Sequence, residues 1–479
     1  MTDQPRYQSP LGSRYASPAM QRLWSAEHRA GIWRRLWLVL AEEQHRLGLA
    51  VPDAALNEMR AHLDDVDLDA VRRYEQRFRH DVMAHVHHFG DQAPAAKPFL
   101  HLGATSAYVT DNADLIVMRD ALRLLLGRLV AVMRSLGGFA ERYRDLPAIA
   151  YTHFQPAQLT TVGKRATLWL QDFLLDAEAL DETVDGLPFR GCKGTAGTQA
   201  TYLELFNGDH EKVRELDRRV AEAFEFARPI PVSGQTYTRK IDSRVMDALG
   251  GIGQSAAKFG TDLRLLQHER EVLEPFEPDQ IGSSAMPHKR NPMRAERICA
   301  LARYVLAQQE TAHYTAATQW LERTLDDSAI RRLAMPEAFL STDAVLVLCT
   351  NVSAGLEVNE AVVRRHVEEA MPFMAVERWL MLGVEAGGDR QALHEVMRRH
   401  SLEASTAVAE GKPNDLLDRL AADPAFGGVA ADDLRRELDP ARYIGRAPQQ
   451  VAEFLTGPVR ERLAGLSPYD VPDDAKVSV

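Results

Sequence analysis

From Leu115 onward, apolar residues recur at Met118, Leu122, Leu125, Leu129, Val132, Leu136 and Phe139, in steps that alternate three and four. That spacing keeps one face of a helix apolar over about seven turns, the seam of a helix packed lengthwise on others. Leu124, Leu126, Val130 and Met133 widen the face, which predicts more than one neighbour. A second seam runs through Ile241, Val245, Leu249, Ile252, Ala256, Phe259, Leu263 and Leu266. Gly250, Gly251 and Gly253 lie inside it. Each glycine weakens a helix by about 1 kcal/mol, so their presence points to close approach of another helix. Further helical runs span roughly Val162 to Leu180 and follow Pro292 and Asp326. Strand alternation is scarce. Long helices joined by loops predict a mainly α protein with a long central helical bundle.

A chain of 479 residues suggests about three domains. The expected divisions are an N-terminal helical domain (1–111), a central long-helix bundle (112–358) and a C-terminal helical domain (359–479). Breaks near Gly387-Gly388, Gly411–Pro413 and Gly427-Gly428 fragment the last of these, and a polar tail is expected from Ser467. Three scattered cysteines, Cys192, Cys299 and Cys349, fit neither a disulfide framework nor a zinc site and favour a reducing cytoplasm. Met1–Tyr7 has no apolar leader region, and no later stretch reads as long and charge-free enough to span a bilayer, so no membrane partner is expected. A net charge of −11 disfavours nucleic acid. Local basic clusters, Lys289, Arg290, Arg294 and Arg297, then Arg323, Arg331 and Arg332, suit a small anionic ligand, although any one arginine also fits a solvated helix face.

Six segments carry residues suited to chemistry. Gly282–Pro292 holds a pair of hydroxyls, Ser283 and Ser284, with Lys289 close by. Asn291 followed by Pro292 reads as N-cap and first helical residue, and Met286 and Asn291 are pushed to extended geometry by the prolines after them. Tyr151–Gln158 places His153, suited to proton donation near neutral pH, in a polar turn expected just before a helix. In Arg79–His88 four histidines invite a metal reading, but the segment lacks His-Glu-x-x-His spacing and a cysteine pair, so no metal is expected. Arg79 and His80 suit an anionic or polar ligand better. Gly103–Ser106 offers hydroxyls and N–H groups for a carboxylate, with a helix cap at Thr110 or Asp111 as the structural alternative. Arg323–Ser328 with Arg331 and Arg332 suits phosphate. Gly234–Lys240 presents Gln235, either to a ligand or to solvent.

The run Gly-Ser-Ser-x-Met-Pro-x-Lys-x-Asn-Pro at 282–292 resembles the fumarase/aspartase superfamily. The six segments fall in the order of its adenylosuccinate lyase family. Arg79–Val86, His101–Ser106 and Glu322–Ser328 are the more particular cues, and the likeness extends from Tyr7 to Ala447. The resemblance implies a three-domain fumarase/aspartase-like fold and a homotetramer whose active sites are built from three subunits, with His153 and Ser283 of one site on different chains. It implies cleavage of small anionic succinyl nucleotides: adenylosuccinate to AMP and fumarate, and the succinylated carboxamide ribotide to its free carboxamide and fumarate. No cofactor is implied. By motif, Ser283 is the general base and His153 the general acid. Arg14, Tyr15, Arg323, Ser328 and Arg332 resemble phosphate contacts. Arg79, His80, Asp81, Thr105, Ser106, Gln235, Lys289, Asn291 and Arg297 resemble contacts to the rest of the substrate. A sister lyase acting on argininosuccinate, a carboxymuconate cycloisomerase and a non-enzymatic structural protein on the same scaffold remain the alternatives.

Overall fold

The computed structural model describes residues 7–469, so Met1–Arg6 and most of the tail expected from Ser467 lie outside the described residues. Five long helices form the body: Ser106–Arg142, Val162–Gly186, Lys240–His268, Met293–Thr318 and Asp326–Ala354. Each is named below by its first residue. The seam from Leu115 to Leu136 is fully buried, as is the second seam from Val245 to Leu266. The glycines of that second seam explain themselves by contact. A Cβ on Gly250 would stand 2.1 Å from the Gln309 side chain, and one on Gly253 would stand 3.3 Å from the Ala302 carbonyl oxygen. The Lys240 and Met293 helices therefore meet at backbone distance.

The Asp326 helix corrects one expectation. By length and composition it could cross a bilayer, but 72% of its apolar window is buried within the chain. It packs against the Ser106, Lys240 and Met293 helices, so its apolar surface serves the bundle core.

The N-terminal helices share the core of the bundle: Trp33, Leu36 and Trp37 join Tyr108, Leu115 and Leu122 in one apolar cluster. The division expected at 111/112 falls inside the Ser106 helix. A separate small core, centred on Trp379, Leu393, Leu416 and Phe426, organises the C-terminal helices. The chain then returns to the bundle, where Val451, Val459 and Leu466 enter the main core.

The C-terminal end of the Ser106 helix leads into a two-stranded antiparallel hairpin, Pro147–Thr152 with Gln155–Thr161. Its base is clamped to the helix: the Gly163 N–H donates to the Tyr143 carbonyl over 2.9 Å. A Cβ at Gly163 would sit 2.2 Å from the Ala140 carbonyl oxygen. A second strand pair, Val272–Leu273 with Glu357–Val358, ties the end of the Asp326 helix to the segment after the Lys240 helix.

Candidate active site

A cleft of about 670 Å³ opens where the Ser106 and Asp326 helices begin. Arg79, His80, Asp81, Ser106, Gln235, Arg323, Ser328 and Arg332 all line it. Local backbone geometry explains the first three. Arg79 takes a left-handed conformation (φ 54°) that ends the helix Leu68–Phe78, and the next helix starts at Asp81. The His80 ring caps that helix, its Nδ1 accepting from the Met83 N–H at 3.3 Å. Arg332 donates to Asp81 Oδ2 over 2.9 Å. Gln235 is fixed by its N–H to the Glu322 carbonyl at 3.0 Å and by its side-chain amide to the Thr195 carbonyl at 3.1 Å. Thr105 is the N-cap of the Ser106 helix, without a side-chain bond of its own. Thr110 and Asp111, expected as a cap, lie inside that helix because it begins a full turn earlier.

The other histidines of the Arg79–His88 segment are occupied individually. His85 stands edge-on to Trp33 at 4.9 Å, His87 stacks on Phe78 at 4.5 Å, and His88 Nε2 accepts from the Asp67 N–H at 3.1 Å.

The inner wall of the cleft is a charge network that includes Arg331, expected with Arg323 and Arg332 to suit phosphate but taken up by carboxylate partners instead. Arg239 is buried and donates through Nε to Asp327 Oδ2 at 2.7 Å and through its two terminal nitrogens to Asp111 at 3.2 Å each. Arg331 pairs with Asp242 at 2.6 Å and Asp114 at 3.0 Å. Burial alone would raise the Asp111 carboxyl, but Arg239, Arg331 and Arg190 hold it below the usual range. The Arg331 guanidinium is held charged by Asp242, Tyr237 and Asp114 despite its burial. These arginines are therefore structural counter-ions. Arg323 and Arg332, 25% and 57% exposed, keep surface open to the cleft. Arg239 lies within the Gly234–Lys240 segment, so its position was visible in the sequence while its burial was not.

The remaining candidates lie elsewhere on the chain. His153 and Phe154 form the tip of the hairpin, both left-handed (φ 53° and 57°), as a two-residue hairpin loop requires. His153 thus sits on an exposed β-turn and not, as expected, on a turn leading straight into a helix. Ser283 Oγ accepts from the Ala285 and Met286 N–H groups at 3.3 and 3.1 Å. Two such donors favour a negatively charged oxygen. Asn291 is not the predicted N-cap. The helix begins at Met293, and the Asn291 amide turns back to the Gly282 carbonyl at 2.7 Å, closing the loop on itself. Lys289 is exposed on that loop. Tyr15 lies under the Arg297 guanidinium, 5.6 Å from ring centroid to charge, and Arg14 shares its helical turn, Leu11–Tyr15.

Helix lengths separate these groups. Ser106 at the cleft and the hairpin lie at opposite ends of a 37-residue helix, about 55 Å long. Arg239 at the cleft and the segment leading to Ser283 lie at opposite ends of a 29-residue helix, about 43 Å long. The Ser283 segment and the hairpin base share one end, where Glu271 meets Arg165 at 3.7 Å and Arg165 donates to the Ile149 carbonyl.

Comparison with known proteins decides the family. Residues 34–307 match a family described as "Lyase", and residues 372–454 match one described as "Adenylosuccinate lyase C-terminus". Adenylosuccinate lyase of Saccharomyces cerevisiae is 47% identical over 483 residues, covering 100% of each chain. The chain belongs to the adenylosuccinate lyase family. Adenylosuccinate lyase of Schizosaccharomyces pombe, also 47% identical, covers 97% of each chain. A 3-carboxy-cis,cis-muconate lactonizing enzyme from Pseudomonas putida shares the fold, with a TM-score of 0.81 at 24% identity over 96% of this chain and 99% of its own. This member of the adenylosuccinate lyase family is a C–N lyase of purine biosynthesis, and the sister-lyase and structural-protein alternatives are not favoured.

Proposed function

We propose that the active site is composite. The cleft of one chain is completed by the His153 hairpin tip of a second and the Ser283 loop of a third, in a homotetramer. The observation that carries this reading is the separation of the cleft from His153 and Ser283 by helices about 43–55 Å long. The loop bearing Ser283 is tied to its own end of the bundle, where the Gln267 side-chain amide donates to the Arg290 carbonyl over 3.0 Å. Neighbouring bundles running antiparallel bring opposite ends together.

In this site the enzyme cleaves adenylosuccinate to AMP and fumarate and acts likewise on the succinylated carboxamide ribotide. Ser283 takes the proton from the carbon beside a carboxylate, and that carboxylate then carries a second negative charge. Lys289 and loop N–H groups stabilise it. The Ala285 and Met286 N–H groups donate to Ser283 Oγ and so favour negative charge developing on it, and loop closure would dry it further. His153 returns a proton to the departing nitrogen. Arg323, Ser328 and Arg332, with Arg14 and Tyr15, bind the phosphate. Arg79, His80, Asp81, Thr105, Ser106, Gln235, Asn291 and Arg297 hold the remainder. One base and one acid balance the reaction, so the chemistry calls for no cofactor. Three free, buried cysteines suit a cytoplasmic protein.

The test mixes His153→Ala and Ser283→Ala, each expected to be inactive alone, in one refolding reaction. Random assembly leaves about a quarter of sites with both native residues, and activity returns in that proportion. Verified mixed oligomers that stay inactive would overturn the composite site.

A further inference from the structure

We propose that Asp327, itself fixed by the buried Arg239, is a positioning residue that holds the Arg323 guanidinium ready for the substrate phosphate. The inference rests on the reading of Arg323 as a phosphate ligand. Asp327 is 1% exposed. Its two oxygens are divided between two arginines: Oδ2 accepts from Arg239 Nε and Oδ1 from Arg323 Nη1, each at 2.7 Å. Arg239 is 2% exposed and cannot swing, because its terminal nitrogens both bond Asp111. Asp111 belongs to the Ser106 helix, Asp327 to the first turn of the Asp326 helix, and Arg239 immediately precedes the Lys240 helix. The anchor is therefore built from the starts of three bundle helices.

The charge order along this chain is carboxylate, guanidinium, carboxylate, guanidinium, ending in the cleft. A bare carboxylate beside a phosphate would repel it. Here Asp327 divides its charge between Arg239 and Arg323, so it draws less on Arg323 than a carboxylate paired with it alone would. Arg323 is a quarter exposed and uses one terminal nitrogen on Asp327, which leaves its other donors for a ligand. A free arginine samples many rotamers. Fixing one before the ligand arrives removes that ordering from the binding step.

The experiment is a cycle of Arg323→Ala, Asp327→Asn and the double variant. KM and kcat are measured for adenylosuccinate, with inhibition by AMP and by fumarate. Arg323→Ala is expected to raise KM about tenfold or more. Asp327→Asn keeps the shape of the side chain and is expected to raise KM about three- to tenfold. It should weaken AMP inhibition in parallel, leave fumarate inhibition unchanged, and lower kcat far less than it raises KM. In the Arg323→Ala background Asp327→Asn is expected to add little. An unchanged KM in Arg323→Ala overturns the phosphate reading and this inference with it. A raised KM in Arg323→Ala alone, or full additivity in the double variant, overturns only the positioning role. If Asp327→Asn does not fold, Arg239→Lys takes its place in the cycle. It keeps a charge against Asp111 but loses the Nε bond to Asp327, and the same outcomes decide.

Discussion

Asp81 and Arg332, 251 residues apart in sequence, meet at the cleft with Arg332 Nη2 donating to Asp81 Oδ2 over 2.9 Å. The pair joins the first turn of the helix that follows His80 to the second turn of the Asp326 helix. Both side chains remain partly exposed, so the bond itself adds little stability. Its consequence is geometric: it keeps Arg332 at the cleft before any ligand binds.

Arg332→Ala is therefore expected to raise KM for adenylosuccinate about tenfold or more while leaving the melting temperature nearly unchanged. Inhibition by fumarate, which carries no phosphate, should be unaltered. Equal loss of affinity for both ligands would show that Arg332 serves the succinyl part of the site.

Ser283→Ala and His153→Ala should each lower kcat by at least about 10²- to 10⁴-fold if each removes its proposed partner in proton transfer. His153 is exposed and Ser283 only half-buried, so circular dichroism and thermal melts should match the native protein. Near-native turnover in either variant would falsify the assigned role.

Gly282→Ala tests the loop that bears Ser283. An added Cβ would stand 2.2 Å from the Lys289 carbonyl oxygen, so the backbone must shift. Asn291→Ala leaves the backbone free of a clash and removes the bond to the Gly282 carbonyl together with the proposed substrate contact. The expected order of activity is native, then Asn291→Ala, then Gly282→Ala, with little change in melting temperature for any. A Gly282→Ala enzyme of full activity would mean that the loop geometry is not part of the mechanism.

Gly260→Ala tests close packing in the bundle. Its Cβ would meet Cys299 Sγ at 2.9 Å and the Ala295 carbonyl oxygen at 3.0 Å. Overpacking of this kind costs about 1–3 kcal/mol, against the small gain in helix propensity. Urea denaturation should show a net loss. A stabilised variant would mean that the Lys240 and Met293 helices separate easily.

His101 predicts a pH dependence. Its Nδ1 accepts from the Trp37 indole N–H at 2.9 Å, which requires that nitrogen to be unprotonated. Burial, then the nearby His80, pushes its pKa down to about 4 from 6.5. The unfolded chain therefore binds a proton in the window from about 6.5 to 4 that the folded chain refuses. His101 does not penalise folding above pH 6.5, and stability falls as pH drops through that window. His101→Asn, suited to the left-handed backbone there (φ 63°), should flatten this part of the stability profile measured by urea melts. An unchanged slope would assign the acid sensitivity to other groups.

The bundle was legible in the sequence because its information is local. Steps of three and four from Leu115 to Phe139 state the period of a helix and the face it buries, and both held. The glycines at 250 and 253 announced close helix contact for the same reason. The chemistry-bearing segments were also recognisable, since each is a short run of fixed residue types. Local pattern misled where a side chain had two possible uses. Asn291 had the residue type of a cap, yet its amide closes the loop instead. The turn at His153 is polar in either a hairpin or a helix start, and only strand pairing across Thr152 and Gln155 decided between them. Periodicity does not record where the ends of a helix lie. Tertiary structure alone buried Arg239 in the cleft wall between two carboxylates and left Arg323 partly open, two arginines indistinguishable by type, because burial depends on which helices converge. It also put the cleft at one end of the bundle and His153 and Ser283 beyond the other, since a stiff helix carries a loop as far as its length dictates.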